Sequence, residues 1–352
     1  MFGLGKTKSL VGLDIGSSAV KAVELRKRGD TYELLNLGIE PLGQDTVVDG
    51  AIMDALSVSS AIEKIFTENR IKTKNVATSV SGHSVIVKRV TVAAVSDEEL
   101  YSAIPYEAQQ HIPFDMTDVN LSYQSLGPAA TGNGTDVMLV AVKREKILNH
   151  TNVLSQAGKI PSVVDYDGFA VFNAFETNYE IPHDRMAALL NIGASIMNIV
   201  IGRGGNPLFT RDVSVGGNQY TDALQKELDL SFEDAERLKR GEAIAGVADE
   251  HKVQILRSVS DILILEIQKT FDFFRATASG ENIQRIYVGG GTARVPGLMD
   301  LLREEFAMPV EELYPFRKII INPGRHNEDQ IRELAPRLAI AVGLALRSFD
   351  QP

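Results

Sequence analysis

The sequence predicts an α/β protein of two related halves, and three observations predict it. Two strand–turn–strand segments, at 10–25 and 188–200, share one grammar: apolar, β-branched runs on either side of a short turn that carries glycine and serine. Each is followed by a further strand and then by helices, so the second half repeats the order of the first. A short apolar run at 285–288 then leads straight into Gly289-Gly290-Gly291. With 352 residues the chain can bury a large core and divide into two or more domains.

Taken in order, 10–15 and 19–25 read as strands joined by the small-residue turn Gly16-Ser17-Ser18, with a third strand at 32–40. Leu56, Ala61, Ile62, Ile65 and Phe66 recur at helical spacing and predict a helix over 55–70. Strands at 76–80 and 85–92 flank Ser81-Gly82-His83. Ser96, with Glu99 three residues on, is a capping box that opens a helix to about 111, and Pro105 predicts a kink or a late start. Strands at 119–126 and 136–142 surround the Gly132-Asn133-Gly134 turn, and a helix over 144–157 stops at Gly158. The pattern restarts near Pro161. Strands at 186–192, 197–201 and 207–215 come first, then helices at 219–228 and 232–240 and a long one at 251–278. The strand at 285–288 follows, then helices at 296–306 and 337–349.

Composition narrows the function. Hydrophobic residues make up 44% and charged residues 23%, the balance of a globular chain. A net charge of −10 with no basic face argues against general affinity for nucleic acid. With no cysteine there are no disulfides, thiolate metal sites or cysteine nucleophiles, which suits a reducing compartment. No apolar run is long enough to cross a bilayer, and the first nine residues lack the features of a signal peptide, so a cytoplasmic protein is expected.

The sharpest signal is the stretch from Leu10 to Glu24. A strand delivers Asp14 to a turn where Gly16, Ser17 and Ser18 let backbone N–H groups approach phosphate oxygens. Lys21, on the return strand, can reach the same phosphates, and Asp14 would hold Mg²⁺ through water. The partner signal runs from Ala188 to Val200, but Asn191 stands where a second aspartate is expected. Two such loops facing each other would clamp phosphates from both sides. A plain hairpin with a polar turn is the competing reading of either loop alone, and the pair makes coincidence a poorer account. Other patterns carry less. Gly5-Lys6-Thr7 looks like the end of a P-loop but has no strand before it. Position 294 is arginine, so the glycine triplet is not Gly-x-Gly-x-x-Gly. His83, His111 and His150 show no metal spacing. Glu98-Glu99 and Glu304-Glu305 read as solvated helix faces, and Leu263, Ile264, Ile267, Phe271 and Phe274 read as core.

With these residues in view, nearly the whole chain resembles the actin, sugar-kinase and Hsp70 superfamily, whose fold is a ribonuclease H-like, two-domain ATPase fold. Asp14, Gly16, Ser17 and Lys21 sit like its first phosphate motif, and Asn191 and Gly193 like its second. Gly216, Gly217 and Asn218 resemble the glycine pair that opens the nucleotide-side helix. The run from Glu233 to Lys239 resembles the bacterial-actin helix whose acidic and lysine residues, here Glu236 and Lys239, approach the ribose and base. Gly289, Gly290, Gly291 and Thr292 resemble the adenosine motif. Asp165-Tyr166-Asp167 with the helix after it, and the helix holding Gly343, sit like the two connecting segments. Within the superfamily, 11–21 and the run from Glu107 to Phe114 look like the PilM and FtsA branch, as does a strand–helix insert from about 85 to 159.

The resemblance implies ATP with Mg²⁺ as cofactors, and four subdomains. These are 1–84, with the first phosphate loop; the insert at 85–159; a second half at 160–218 and 284–352, whose terminal helix returns toward the first; and a helical unit at 219–283. It also implies a platform of the type IV pilus machine. Such a platform binds the short cytoplasmic tail of a PilN-like inner-membrane protein in a groove between the first subdomain and the insert, and is recruited to the membrane through it. Asn191 is a poor base and Asp167 is the nearest replacement, so ATP hydrolysis is expected to be feeble or absent. Two other readings remain open here. A small-molecule kinase of the same fold needs a carboxylate beside a substrate hydroxyl, and no aspartate in a glycine-flanked sugar site stands out. An FtsA-like membrane-bound filament protein carries an amphipathic C-terminal helix beyond the fold, where this sequence stops soon after the helix holding Gly343.

Overall fold

The computed structural model describes residues 10–94, 96–129, 132, 134–180, 182, 184–278 and 281–349. The Gly5-Lys6-Thr7 segment, Asn133 and the last three residues lie outside them.

In the first half, β1 (Val11–Ile15), β2 (Ala19–Arg28) and β3 (Thr31–Pro41) form an antiparallel meander. A two-strand ribbon, β4 (Val47–Val48) and β5 (Ala51–Ile52), leads into helix α1 (Ala55–Glu68), capped by the Asp54 side chain at the amides of Leu56 and Ser57. Strand β6 (Asn75–Val80) then returns parallel to β1. All five residues of β1 are buried, because α1 covers one face with Ile62, Ile65 and Phe66 and a late helix covers the other.

Strands β7 (Val85–Val92), β8 (Val119–Pro128) and β9 (Thr135–Lys143) form a separate three-stranded sheet in the order β7-β9-β8. Its apolar face packs on helix α2 (Asp97–His111) through Leu100, Ile104 and Ala108. The capping box forms as expected, with Ser96 Oγ accepting from the Glu99 amide and Glu99 from the Ser96 amide. Of the kink or late start expected at Pro105, the late start does not occur, and α2 begins at Asp97 and runs through the proline. The proline leaves the Tyr101 carbonyl without its i+4 donor, and Tyr101 is exposed, so water can supply the missing bond. Helix α3 (Arg144–Gln156) leaves this sheet and packs on α1.

The segment after Gly158 departs from the expected division at 160. Strand β10 (Ile160–Tyr166) pairs parallel to β6 and ends the first sheet, so the second half begins only after helix α4 (Asp167–Asn178). The second sheet repeats the first: β11 (Met186–Ile192), β12 (Met197–Arg203) and β13 (Asn206–Val213) form the meander. Helices α5 (Gly217–Leu228), α6 (Phe232–Lys239) and α7 (Asp249–Thr277) follow, then β14 (Arg285–Gly289) parallel to β11. Leu263, Ile264, Ile267, Phe271 and Phe274 of α7 are buried, as their spacing predicts.

Helix α8 (Leu298–Phe306) and β15 (Val310–Glu312) complete the second sheet. The chain then crosses back: β16 (Ile319–Ile320) adds to β3 at the far edge of the first sheet. After α9 (Glu328–Leu334), the apolar α10 (Ala339–Leu346) wedges between β1 and α4. Apolar side chains of α4, α10 and both sheets form one cluster that joins the halves.

Candidate functional site

The first hairpin sets Asp14 directly across from Lys21, seven residues on. Lys21 Nζ donates to Asp14 Oδ2 at 2.7 Å, and Asp14 is only 4% exposed. A Cβ at Gly16 would lie 3.0 Å from Lys21 Nζ, so a side chain there would push the lysine from its place. The turn is held by Gly16 N–H to Ala19 O (3.1 Å) and Leu42 N–H to Ser18 O (3.0 Å). Among the described residues the amides of Ser17 and Ser18 find no acceptor. Two adjacent free donors beside a lysine make an anion cradle.

The second hairpin has the same register with different chemistry: Asn191 faces Asn198, again seven residues on. Asp212 on β13 decides how these amides point. Its carboxylate only accepts, so Asn198 presents Nδ2 to Asp212 Oδ1 (2.9 Å) and turns its carbonyl to Asn191 Nδ2 (3.0 Å). Asp212 also crosses to the first half. Oδ1 accepts from the Tyr166 hydroxyl at 2.6 Å, and Oδ2 accepts from the Gly82 amide at 2.7 Å. One carboxylate therefore links the second hairpin, the end of the first sheet and the loop that enters the inserted sheet.

Gly193 O is the hub of the second loop. It accepts from the Gly217 amide at 2.9 Å and the buried Thr292 hydroxyl at 2.8 Å. The Asn218 amide donates to Ala194 O at 2.8 Å. Gly216 lets this happen, for a Cβ would lie 2.5 Å from Gly193 O. The Gly217 and Asn218 amides thus hold the second loop. Lys239 donates to Thr221 Oγ1 (2.8 Å) and Gly217 O (3.2 Å) and pairs with Glu236. This places the charged pair of α6 beside the start of α5. Gly289 ends β14 close to Asn191, and Gly290 sits at φ +86° with its amide donating to Pro336 O at 2.7 Å. A Cβ on Gly290 would fall 2.1 Å from Ile192 O, so only glycine fits. Arg337 lies against Gly291 and, among the described residues, makes no hydrogen bond or ion pair.

Asp167 begins α4 between the halves. Burial first, then the Asp14 carboxylate and Asp212, raise its pKa from 3.8 to about 7, while the Ser79 and Ser81 hydroxyls act the other way. A carboxyl whose folded pKa is raised binds its proton more tightly folded than unfolded. Its contribution to stability is therefore present below pH 4 and is lost as pH rises through about 7. Asp167→Asn is expected to melt at a higher temperature than the parent protein at pH 8 and to gain little at pH 4.5. Thermal unfolding at the two pH values checks this, and equal gains at both would show that the charge is not the cause.

Of the sequence-selected residues, the structure pairs Asp14 with Lys21, sets Asn191 at the same position of the second hairpin, brings Gly217 and Thr292 onto Gly193 O, and places Lys239 with Glu236 beside Gly217. Asn198, Asp212, Tyr166 and Arg337 are additions. Asn198 was legible through the seven-residue spacing it shares with Lys21, whereas nothing local marks Asp212 or Arg337.

Two sheets of the same strand order, each opening on a hairpin and joined by a shared layer of α4 and α10, define the actin-like fold. The model of the type IV pilus assembly protein PilM family matches residues 12–349. The chain belongs to that family. It is similar to a chain of a solved PilM-PilN type IV pilus biogenesis complex, at 28% identity, covering 97% of this chain and 99% of that one with a TM-score of 0.87. The cell division protein FtsA of Streptococcus pneumoniae is 24% identical over 93% of this chain and 80% of its own length. An MreB of Spiroplasma citri bound to ADP shares the fold at 14% identity, covering 95% of this chain and 94% of that one, with a TM-score of 0.50. Among the described residues no helix is long and apolar enough to cross a membrane.

Proposed function

We propose that the protein binds Mg-ATP between its two hairpins and serves as a platform for the cytoplasmic tail of a PilN-like inner-membrane protein. The supporting observation is its likeness, over nearly the full length of both chains, to a chain solved within a PilM-PilN complex. An actin-like relative solved with ADP supports the nucleotide. The chain's own residues fit one. The free Ser17 and Ser18 amides and Lys21 suit the phosphates from one side, and the turn after Asn191, around Gly193, suits them from the other. The surroundings of Gly289, Gly290, Gly291 and Thr292, with Arg337 at hand, suit the adenosine. Glu236 and Lys239 would approach the ribose, and Gly216, Gly217 and Asn218 support the second loop from behind. Among the described residues no three His, Cys, Asp or Glu side chains converge as metal ligands. Magnesium would therefore be held by the phosphates and by Asp14 through water.

Hydrolysis is slow in this reading. Asn191 is neutral and its amide is engaged by Asn198, so it takes no proton from water. Asp167, poised near neutral pH, is the nearest candidate for that role. Mg-ATP is expected to bind stoichiometrically and turn over slowly, and Asp167→Asn to remove the remaining turnover. A single-turnover assay with purified protein measures both, and brisk turnover that survives the substitution would refute this assignment.

For the tail, the apolar side chains of Met53, Leu56 and Leu148 are exposed on the β5–α1 corner and on α3, elements that pack together between the first subdomain and the insert. Recruitment from the cytoplasm to the inner membrane would follow from tail binding. Titration of the protein with a synthetic PilN-type tail tests the platform, and no binding with or without Mg-ATP would remove it.

A further inference from the structure

Lys146 lies in the first turn of α3, the helix that leaves the inserted sheet, and its side chain turns inward. The residue is 8% exposed, and its ammonium makes no hydrogen bond or ion pair among the described residues. Nζ lies 2.9 Å from the point a Cβ on Gly50 would occupy, with Ser81 O and Ile196 Cδ1 at 3.2 and 3.6 Å from the same point. The ammonium therefore stands where three parts of the chain meet: the β4–β5 turn, the end of β6 and the tip of the second hairpin. Burial lowers its pKa, and the carboxylates of Asp167, Asp212 and Asp49 oppose that shift. His150, one turn along α3, is held neutral, its pKa lowered to about 4 by burial and by Lys146 itself.

This is an unfavourable place for a cation unless something binds it. Nζ is not sealed off, so water or a ligand can reach it, and the first turn of a helix carries the positive end of its dipole, which favours an anion there. The three aspartates supply a field but no hydrogen bond. Lys21 approaches the space between the hairpins from β2, and Lys146 approaches from the insert.

We propose that Lys146 is a ligand for the terminal phosphate of the bound nucleoside triphosphate, supplied by the inserted subdomain. This rests on the nucleotide reading above and deepens it. Such a role requires that the β-phosphate of a diphosphate, seated on the Ser17 and Ser18 amides, stop short of Lys146. A triphosphate therefore ties α3 to the second half and a diphosphate does not. Because α3 packs on α1 and carries Leu148, the tie reaches the surface proposed for the tail.

The test is equilibrium binding of a non-hydrolysable Mg-ATP analogue and of Mg-ADP to the full chain and to Lys146→Met, with the melting temperature of each as a check on folding. Losing one charge-assisted hydrogen bond to phosphate is expected to weaken the analogue about tenfold or more. ADP should stay within about twofold. Equal losses for both nucleotides, or none, would overturn the proposal and leave Lys146 as a counter-ion for Asp167 and Asp212. If the parent protein binds neither nucleotide, the underlying reading falls with it. Hydrogen exchange on the parent protein needs no variant. The analogue should protect the start of α3 and the Asp49-Gly50 turn more than ADP does, and equal protection would also overturn the proposal.

Discussion

Gly343→Val is expected to unfold the protein or to lower its stability by about 3 kcal/mol or more, measured by denaturant unfolding. A Cβ at Gly343 would lie 1.7 Å from Ala170 O, with the carbonyl carbon and Cα of Ala170 at 2.5 and 2.9 Å. All three are backbone atoms of α4, so no side chain can swing aside. The opposite side of α10 is equally tight, for a Cβ at Gly12 would come within 2.0 Å of Ala341 O. The helix is pressed backbone to backbone between β1 and α4, and any retreat from one drives it into the other. Gly158→Ala is the control. Its φ is +68° with open space around it, so it costs only the left-handed backbone penalty of about 1–2 kcal/mol. Equal losses for the two variants would show that α10 can move. The wedge also bears on the site, since β1 ends beside Asp14 and α4 begins at Asp167.

Lys21→Met is expected to lower stability by about 3 kcal/mol and to weaken nucleotide binding by about 100-fold. The first loss arises because Asp14, 4% exposed, would lose the ammonium 2.7 Å away, and breaking a buried pair at one end costs about 3–5 kcal/mol. The second follows from removing about two charge-assisted hydrogen bonds to phosphate. Thermal unfolding and nucleotide titration separate the effects. The double variant Lys21→Met with Asp14→Leu should recover much of the stability and none of the affinity. If it recovers neither, the pair is not what stabilises the hairpin, and if it recovers both, Lys21 is not a phosphate ligand.

How far the site was legible depended on sequence distance. Asp14, Gly16 and Lys21 lie within one hairpin, whose alternation sets the register that pairs them. The same spacing in the second hairpin joins Asn191 to Asn198. The glycine triplet was legible because a strand entering it leaves room for no side chain at Gly290. Asp212 meets Gly82 and Tyr166 across 130 and 46 residues, and no local pattern anticipates such contacts. Pro105 misled about where the helix starts. A proline inside a pattern suggests a late start, but a capped surface helix with a hydrated carbonyl can begin before it.

By itself the sequence determined the two hairpins, the repeat that makes them counterparts, and the neutral Asn191 where the first hairpin has Asp14. These are short-range matters of periodicity, turn chemistry and side-chain type. Only the tertiary structure decided that β10 and β16 belong to the first sheet, that α10 closes against β1, that the Gly217 and Asn218 amides hold the second loop, that Asp212 meets Tyr166 and Gly82, and that Lys146 comes up to Gly50 and Ser81. Those outcomes depend on which distant segments exclude water together, and burial between distant segments leaves no periodic trace in either one alone.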